Sequence, residues 1–100
     1  MVLYFNKMKA YPNLLEAVAI TVESLRKERK LTKTALASFA ELQDCYIRGI
    51  TKGRRNPTIT TIYSICEALG ISSVDFFQRV ELEMKRLTSR DKDLRDKDSI

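Results

Sequence analysis

Apolar residues recur along this chain at the three- and four-residue spacing of helices, and no stretch alternates with the period of two that a strand requires. Leu15, Val18, Val22 and Leu25 mark the buried stripe of a helix expected over 14–30, with Asn13 as its N-cap after the boundary at Pro12. Thr32 or Lys33 opens a second helix over 34–40, where Leu36 and Ala40 face inward and the small Ala37 admits a close neighbour. A third, over 44–52 with Gln43 at its N-cap, turns only Ile47 and Ile50 inward and leaves one whole face free. Gly53 can supply the left-handed cap that ends it, and Pro57 blocks continuation. Thr58 caps a fourth helix over 59–69, with Ile62, Ile65, Cys66 and Leu69 as its stripe and Gly70 at its end. Ser72 and Asp75 resemble a capping box before a fifth, over 73–87, which carries Val74, Phe76, Phe77, Val80, Met84 and Leu87.

The pattern predicts an all-α domain of five short helices around one small core. That domain spans 13–87, between a short N-terminal arm (1–12) and a charged C-terminal tail (88–100). Val2, Leu3, Tyr4, Phe5 and Met8 of the arm can cover an exposed patch of the domain or of a second subunit, or fray as a free terminus. The tail balances four basic against four acidic residues; it can extend the fifth helix through i,i+4 pairs, but it has no apolar face and is expected to be mobile and outside the site.

Composition agrees with a single domain, since 100 residues support one core comfortably and a second poorly. A net charge of +5 points toward a polyanionic partner, and its distribution is more informative than its size. Between Arg26 and Arg55 stand nine Lys or Arg against three acids. Part of that run, Arg26 to Lys30, closes the first helix and complements its dipole, which accounts for it without a ligand. Cys45 and Cys66 stand alone on separate helices, and the chain has no His, so no zinc site can be assembled. Two thiols without a secretory signal fit a reducing cytoplasm, and no apolar run reaches membrane-spanning length. No phosphate-cradling glycine loop, nucleophile elbow or metal cluster is present, so neither an enzyme nor a cofactor is expected, and no small-molecule effector pocket is evident.

From Leu31 to Phe77 the chain reads LTKTALASFAELQDCYIRGITKGRRNPTITTIYSICEALGISSVDFF. It resembles the Cro/repressor-type (XRE-like) helix-turn-helix regulators over roughly residues 14–77, which implies a lambda-repressor-like five-helix fold. The matches are Leu25-Arg26, Leu36-Ala37, Ile47 with Ile50, Gly53-Arg54-Arg55-Asn56-Pro57, and Ala68-Leu69-Gly70 with Phe76-Phe77. Tyr46-Ile47 with Gly49-Ile50, then Arg55-Asn56 and Val74-Asp75-Phe76-Phe77, are similar to controller proteins of restriction–modification systems. The resemblance implies a homodimer that regulates transcription from a pseudo-palindromic operator on double-stranded DNA. Lys33 replaces the family's usual glutamine, Glu41 its turn glycine, and Thr51 the acid that pairs with the arginine matching Arg26. Arg26 is then left to Glu23, Glu41, Glu67 or solvent.

On this reading Gln43, Asp44, Cys45, Tyr46, Arg48 and Gly49 form the base-reading face. Arg48 can fork onto the two acceptors of guanine, Gln43 suits adenine, and Asp44 can accept from the amino group of cytosine. Tyr46 either meets a sugar or thymine methyl or packs beside the second helix. Thr32, Lys33, Lys52, Arg54, Arg55 and Asn56 are expected on phosphates. Phe76, Phe77, Val80, Met84 and Leu87 exceed what so small a core absorbs and are the expected dimer interface. A protein-interaction module on the same fold, such as an antitoxin or adaptor, is the alternative.

Overall fold

Threonine hydroxyls open two of the helices in the computed structural model, which describes residues 11–98, with side chains to Arg95. Most of the expected arm therefore lies outside the described residues. Thr32 Oγ1 accepts from the Ala35 amide at 3.0 Å and starts α2 (Lys33–Phe39). Thr58 Oγ1 accepts from Thr61 at 3.1 Å and starts α4 (Ile59–Leu69). Ser72 Oγ accepts from Asp75 at 3.1 Å before α5 (Ser73–Asp98). The two other expected caps differ. α1 (Leu14–Glu28) and α3 (Asp44–Thr51) begin without a side-chain cap bond. Asn13 stands at φ 64°, and its amide donates to Thr88 Oγ1 at 3.3 Å and Asp91 Oδ2 at 3.2 Å.

The first four helices end by one device. The residue after the helix turns left-handed and donates three positions back, and the next donates five back. Lys30 and Leu31 do this for α1, Glu41 and Leu42 for α2, Gly53 and Arg54 for α3, and Gly70 and Ile71 for α4. Only two of the four turning residues are glycine: Lys30 and Glu41 hold φ 58° and 57°, where a Cβ is strained. The follower is apolar and packed on the core in three cases, Leu31, Leu42 and Ile71, whereas after α3 it is the exposed Arg54.

α1 lies against α5 and α3, while α2 bridges α3 and α4. Val22, Leu25, Leu36, Ile47, Ile50, Ile65, Leu69 and Phe76 meet in one buried cluster. The described residues contain no strand, in keeping with the all-α expectation. Within that core Thr21 is 2% exposed and its hydroxyl has no hydrogen-bond partner among the described residues.

Two expectations fail on α5. The helix does not stop at Leu87 but runs to Asp98, so most of the tail takes the helical extension that its i,i+4 charges allow. A helix already anchored by Phe76, Val80 and Leu87 extends without a new nucleation cost, so an apolar face is not required. Asn13 and the 3.5 Å Arg90–Glu16 pair dock the extension on the start of α1. Phe76, Val80 and Leu87 are also 0–1% exposed inside the subunit, so they are core rather than the expected interface. Of those five residues, Phe77 stays exposed and Met84 half-buried.

Candidate functional site

Ile47 and Ile50 are buried and fix α3 to the domain, which presents the opposite side of this two-turn helix outward. Gln43, Cys45 and Arg48 are exposed there, and Asp44 and Gly49 are half-buried beside them. Tyr46 is half-buried and packs on the core, the structural one of its two expected roles. Beyond the helix, Lys52, Arg54, Arg55 and Asn56 are all exposed, and none of their side chains has a hydrogen-bond or ion-pair partner among the described residues. Thr32 and Lys33 stand at the start of α2, Thr32 spent as a cap and Lys33 3.8 Å from Glu23.

Three arginines elsewhere have structural employment. Arg26 pairs with Glu23 at 2.7 Å and donates to the Leu31 carbonyl at 2.6 Å, so of its candidate partners Glu23 is the one used. Arg29 donates to the Leu69 carbonyl at 2.8 Å and Arg79 reaches Glu28 at 2.9 Å, holding α1, α4 and α5 together. The Arg79 hydrogen bond also holds the Glu28 carboxyl below its ordinary pKa. Thr51, in the place of the family's acid, donates to the Arg48 carbonyl at 3.1 Å.

Two contacts order the outer face itself. Arg48 Nε donates to Asp44 Oδ2 at 2.6 Å, one helical turn back, and this bond lowers the pKa of Asp44. The nearby Thr34 hydroxyl of α2 lowers it further, and the other carboxylate oxygen, Oδ1, is shielded from solvent. Arg55 folds back over Gly49, where a Cβ would stand 2.5 Å from Arg55 Cγ. Gly49 therefore acts by having no side chain. The spacing alone showed its place on the face but not that Arg55 fills it.

The two thiols differ. Cys45 is free and exposed on α3, whereas burial pushes the Cys66 thiol up to about 11. No group of residues that could hold a metal occurs among the described residues, and no helix there is long and apolar enough to cross a membrane.

One apolar surface is wider than the sequence reading, which named Phe77, and a second escaped it. Val74 and Leu82 are each 66% exposed and flank Phe77 on α5. Leu82 lies off the Phe76–Val80–Leu87 stripe, so core periodicity could not find it. Phe39 and Tyr63, from α2 and α4, line a second patch together with Glu41 and Glu67. For this patch an aromatic off the buried stripe was the signal available.

A model described as "Helix-turn-helix" matches residues 22–76. The chain is 37% identical over 51 residues to the HTH-type transcriptional regulator y4dJ of Sinorhizobium fredii, covering 51% of this chain and 66% of that protein. It is 42% identical over 50 residues to the immunity repressor protein of Bacillus phage phi105, covering 50% of this chain and 35% of the repressor. The matched segment thus spans less than two thirds of either relative. Among solved structures, the restriction–modification controller protein C.Esp1396I superposes with a TM-score of 0.68 at 34% identity, over 71% of this chain and 93% of that one. The same controller has been solved as a tetramer on its natural 35 base-pair operator, with a TM-score of 0.67 to this chain. The clp gene regulator ClgR of Corynebacterium glutamicum shares the fold over 86% of this chain and 92% of its own, with a TM-score of 0.79 at 24% identity.

Proposed function

The chain belongs to the XRE-like helix-turn-helix family, and from that premise we propose that it is a cytoplasmic transcriptional regulator that binds double-stranded DNA as a homodimer. The observation that carries this reading is the outer side of α3. A helix pinned by only two isoleucines turns its free side to solvent beside three basic residues with no carboxylate partner among the described residues. Such a helix fits the major groove, and the cations beside it fit the phosphates along its edges.

Gln43, Arg48 and Gly49 then face base edges, with Cys45 alongside, and Arg48 suits guanine. Lys52, Arg54, Arg55 and Asn56 grip the backbone from one end of α3. Thr32 and Lys33 approach it from α2, Lys33 exchanging Glu23 for a phosphate. One short helix reads too few base pairs to choose among many competing sites, so two copies are needed. The exposed Val74, Phe77 and Leu82, with Met84 beside them, are the apolar surface α5 offers a second subunit. The similar controller protein C.Esp1396I, solved on its operator, supports the same assignment.

Selection of bound duplexes from a random pool tests this directly. The expected site is two-fold symmetric, with half-sites about one DNA turn, roughly 34 Å, apart. Arg48→Ala should relax preference at one base pair, and Arg55→Ala should weaken all sequences alike. An asymmetric site indifferent to Arg48→Ala would sink the proposal.

A second reading has its own observation. Phe39 and Tyr63 are both exposed and line one patch bordered by Glu41 and Glu67, which suits a protein partner. Purification with a protein and no retention on any duplex would favour an adaptor or antitoxin.

A further inference from the structure

We propose that Asp44 reads no base but is a positioning residue, which holds Arg48 so that the two terminal nitrogens of its guanidinium face guanine. The proposal deepens the DNA-binding reading above and rests on it.

The two carboxylate oxygens carry the argument. Sequence chemistry alone allows Asp44 to accept from the amino group of cytosine, but in the fold, although the side chain is 42% exposed, one oxygen is engaged by Arg48 and the other is shielded from solvent. Oδ2 accepts from Arg48 Nε at 2.6 Å, and Oδ1 is buried against the protein. Asp44 also occupies the first turn of α3, where the helix dipole favours a negative charge and keeps it in place. An acid four residues before a base is the better order for such a pair on a helix.

The arginine is altered as much as the aspartate. Arg48 is half exposed and, unpaired, would sample many rotamers, all but one lost on binding. With Nε engaged, the Nη atoms remain without a partner among the described residues. They are the pair that can reach the O6 and N7 acceptors of guanine end-on. The same bond partly neutralises Asp44, so an acid on a DNA-facing helix is less repelled by phosphate.

Substituting Asp44 therefore has two effects of opposite sign. Asp44→Asn removes a negative charge and should tighten binding to unrelated duplex. The preference for guanine at the pair identified by Arg48→Ala should fall roughly three- to tenfold, the change one hydrogen bond's worth of ordering brings. Asp44→Glu, which can still pair with Arg48, should retain that preference, and Asp44→Asn added to Arg48→Ala should change preference nowhere. In the free protein, Asp44→Asn should speed solvent exchange of the Arg48 Nε proton.

The proposal falls if Asp44→Asn alters preference at a different base pair, leaves the Arg48 pair untouched, or does not change Nε exchange. A wild-type protein that selects no duplex refutes the DNA-binding reading, and the readout by Arg48 with it. The exchange measurement then still reports whether Asp44 holds the arginine.

Discussion

Gly49 shows how one residue shapes the face without presenting a side chain. The stem of Arg55 crosses the space where a Cβ would stand, 2.5 Å from Arg55 Cγ. Gly49→Ala should therefore separate stability from binding. The helix gains up to about 1 kcal/mol of propensity, offset by displacing Arg55, while affinity for the operator falls roughly tenfold. Thermal melts beside a binding titration check the pair, and parallel losses in both would refute it. Glu41 is the complementary case, a side chain where none is wanted. At φ 57° it is strained, so Glu41→Gly should raise stability by about 1 kcal/mol, read as a melting temperature several degrees higher. Its positive φ was readable in the sequence, because the family resemblance marks a turn there. The partners of Asp44 and Arg55 were not, since both depend on rotamers that spacing leaves undetermined.

The helices themselves were readable because each is bounded by local chemistry. Thr32, Thr58 and Ser72 accept where expected, and the predicted 59–69 helix is α4 residue for residue. The exceptions are ends decided by tertiary contact. Asn13 was assigned to its own helix, yet its amide reaches α5, where it meets Thr88 and Asp91. No local pattern predicts that meeting between opposite ends of the chain, and it explains why α5 outlasts its apolar stripe. A chain ending at Leu87 should keep its fold and lose about 1 kcal/mol or less, because the lost contacts are exposed or half-exposed. Asn13→Ala should cost a similar amount in the full chain and nothing further in the shortened one. Chemical denaturation of the four proteins completes the cycle, and additive losses would show that the contact is not shared.

For the whole molecule, the all-α class was readable because one buried stripe per helix suffices to specify it. The division of α5 between core and surface was not. Phe76 and Phe77 are adjacent, their rings meet edge-on at 5.4 Å, and only the fold turns one inward. The dimer test accordingly belongs to Phe77. Phe77→Asp should leave helicity intact and give a monomer by sedimentation, and a dimer that persists would move the interface elsewhere. A different consequence follows from the exits of the first four helices. Three are bolted to the core by Leu31, Leu42 and Ile71, whereas α3 leaves through Arg54, which is held by backbone alone. Treated as a mechanical object, the domain is stiff at three corners and compliant at one. That corner carries Lys52, Arg54 and Arg55, so the loop can settle onto a curved or uneven surface while the core keeps its shape. Amide hydrogen exchange measures this compliance: Arg54 should exchange faster than Leu31, Leu42 and Ile71, although all four make the same bond.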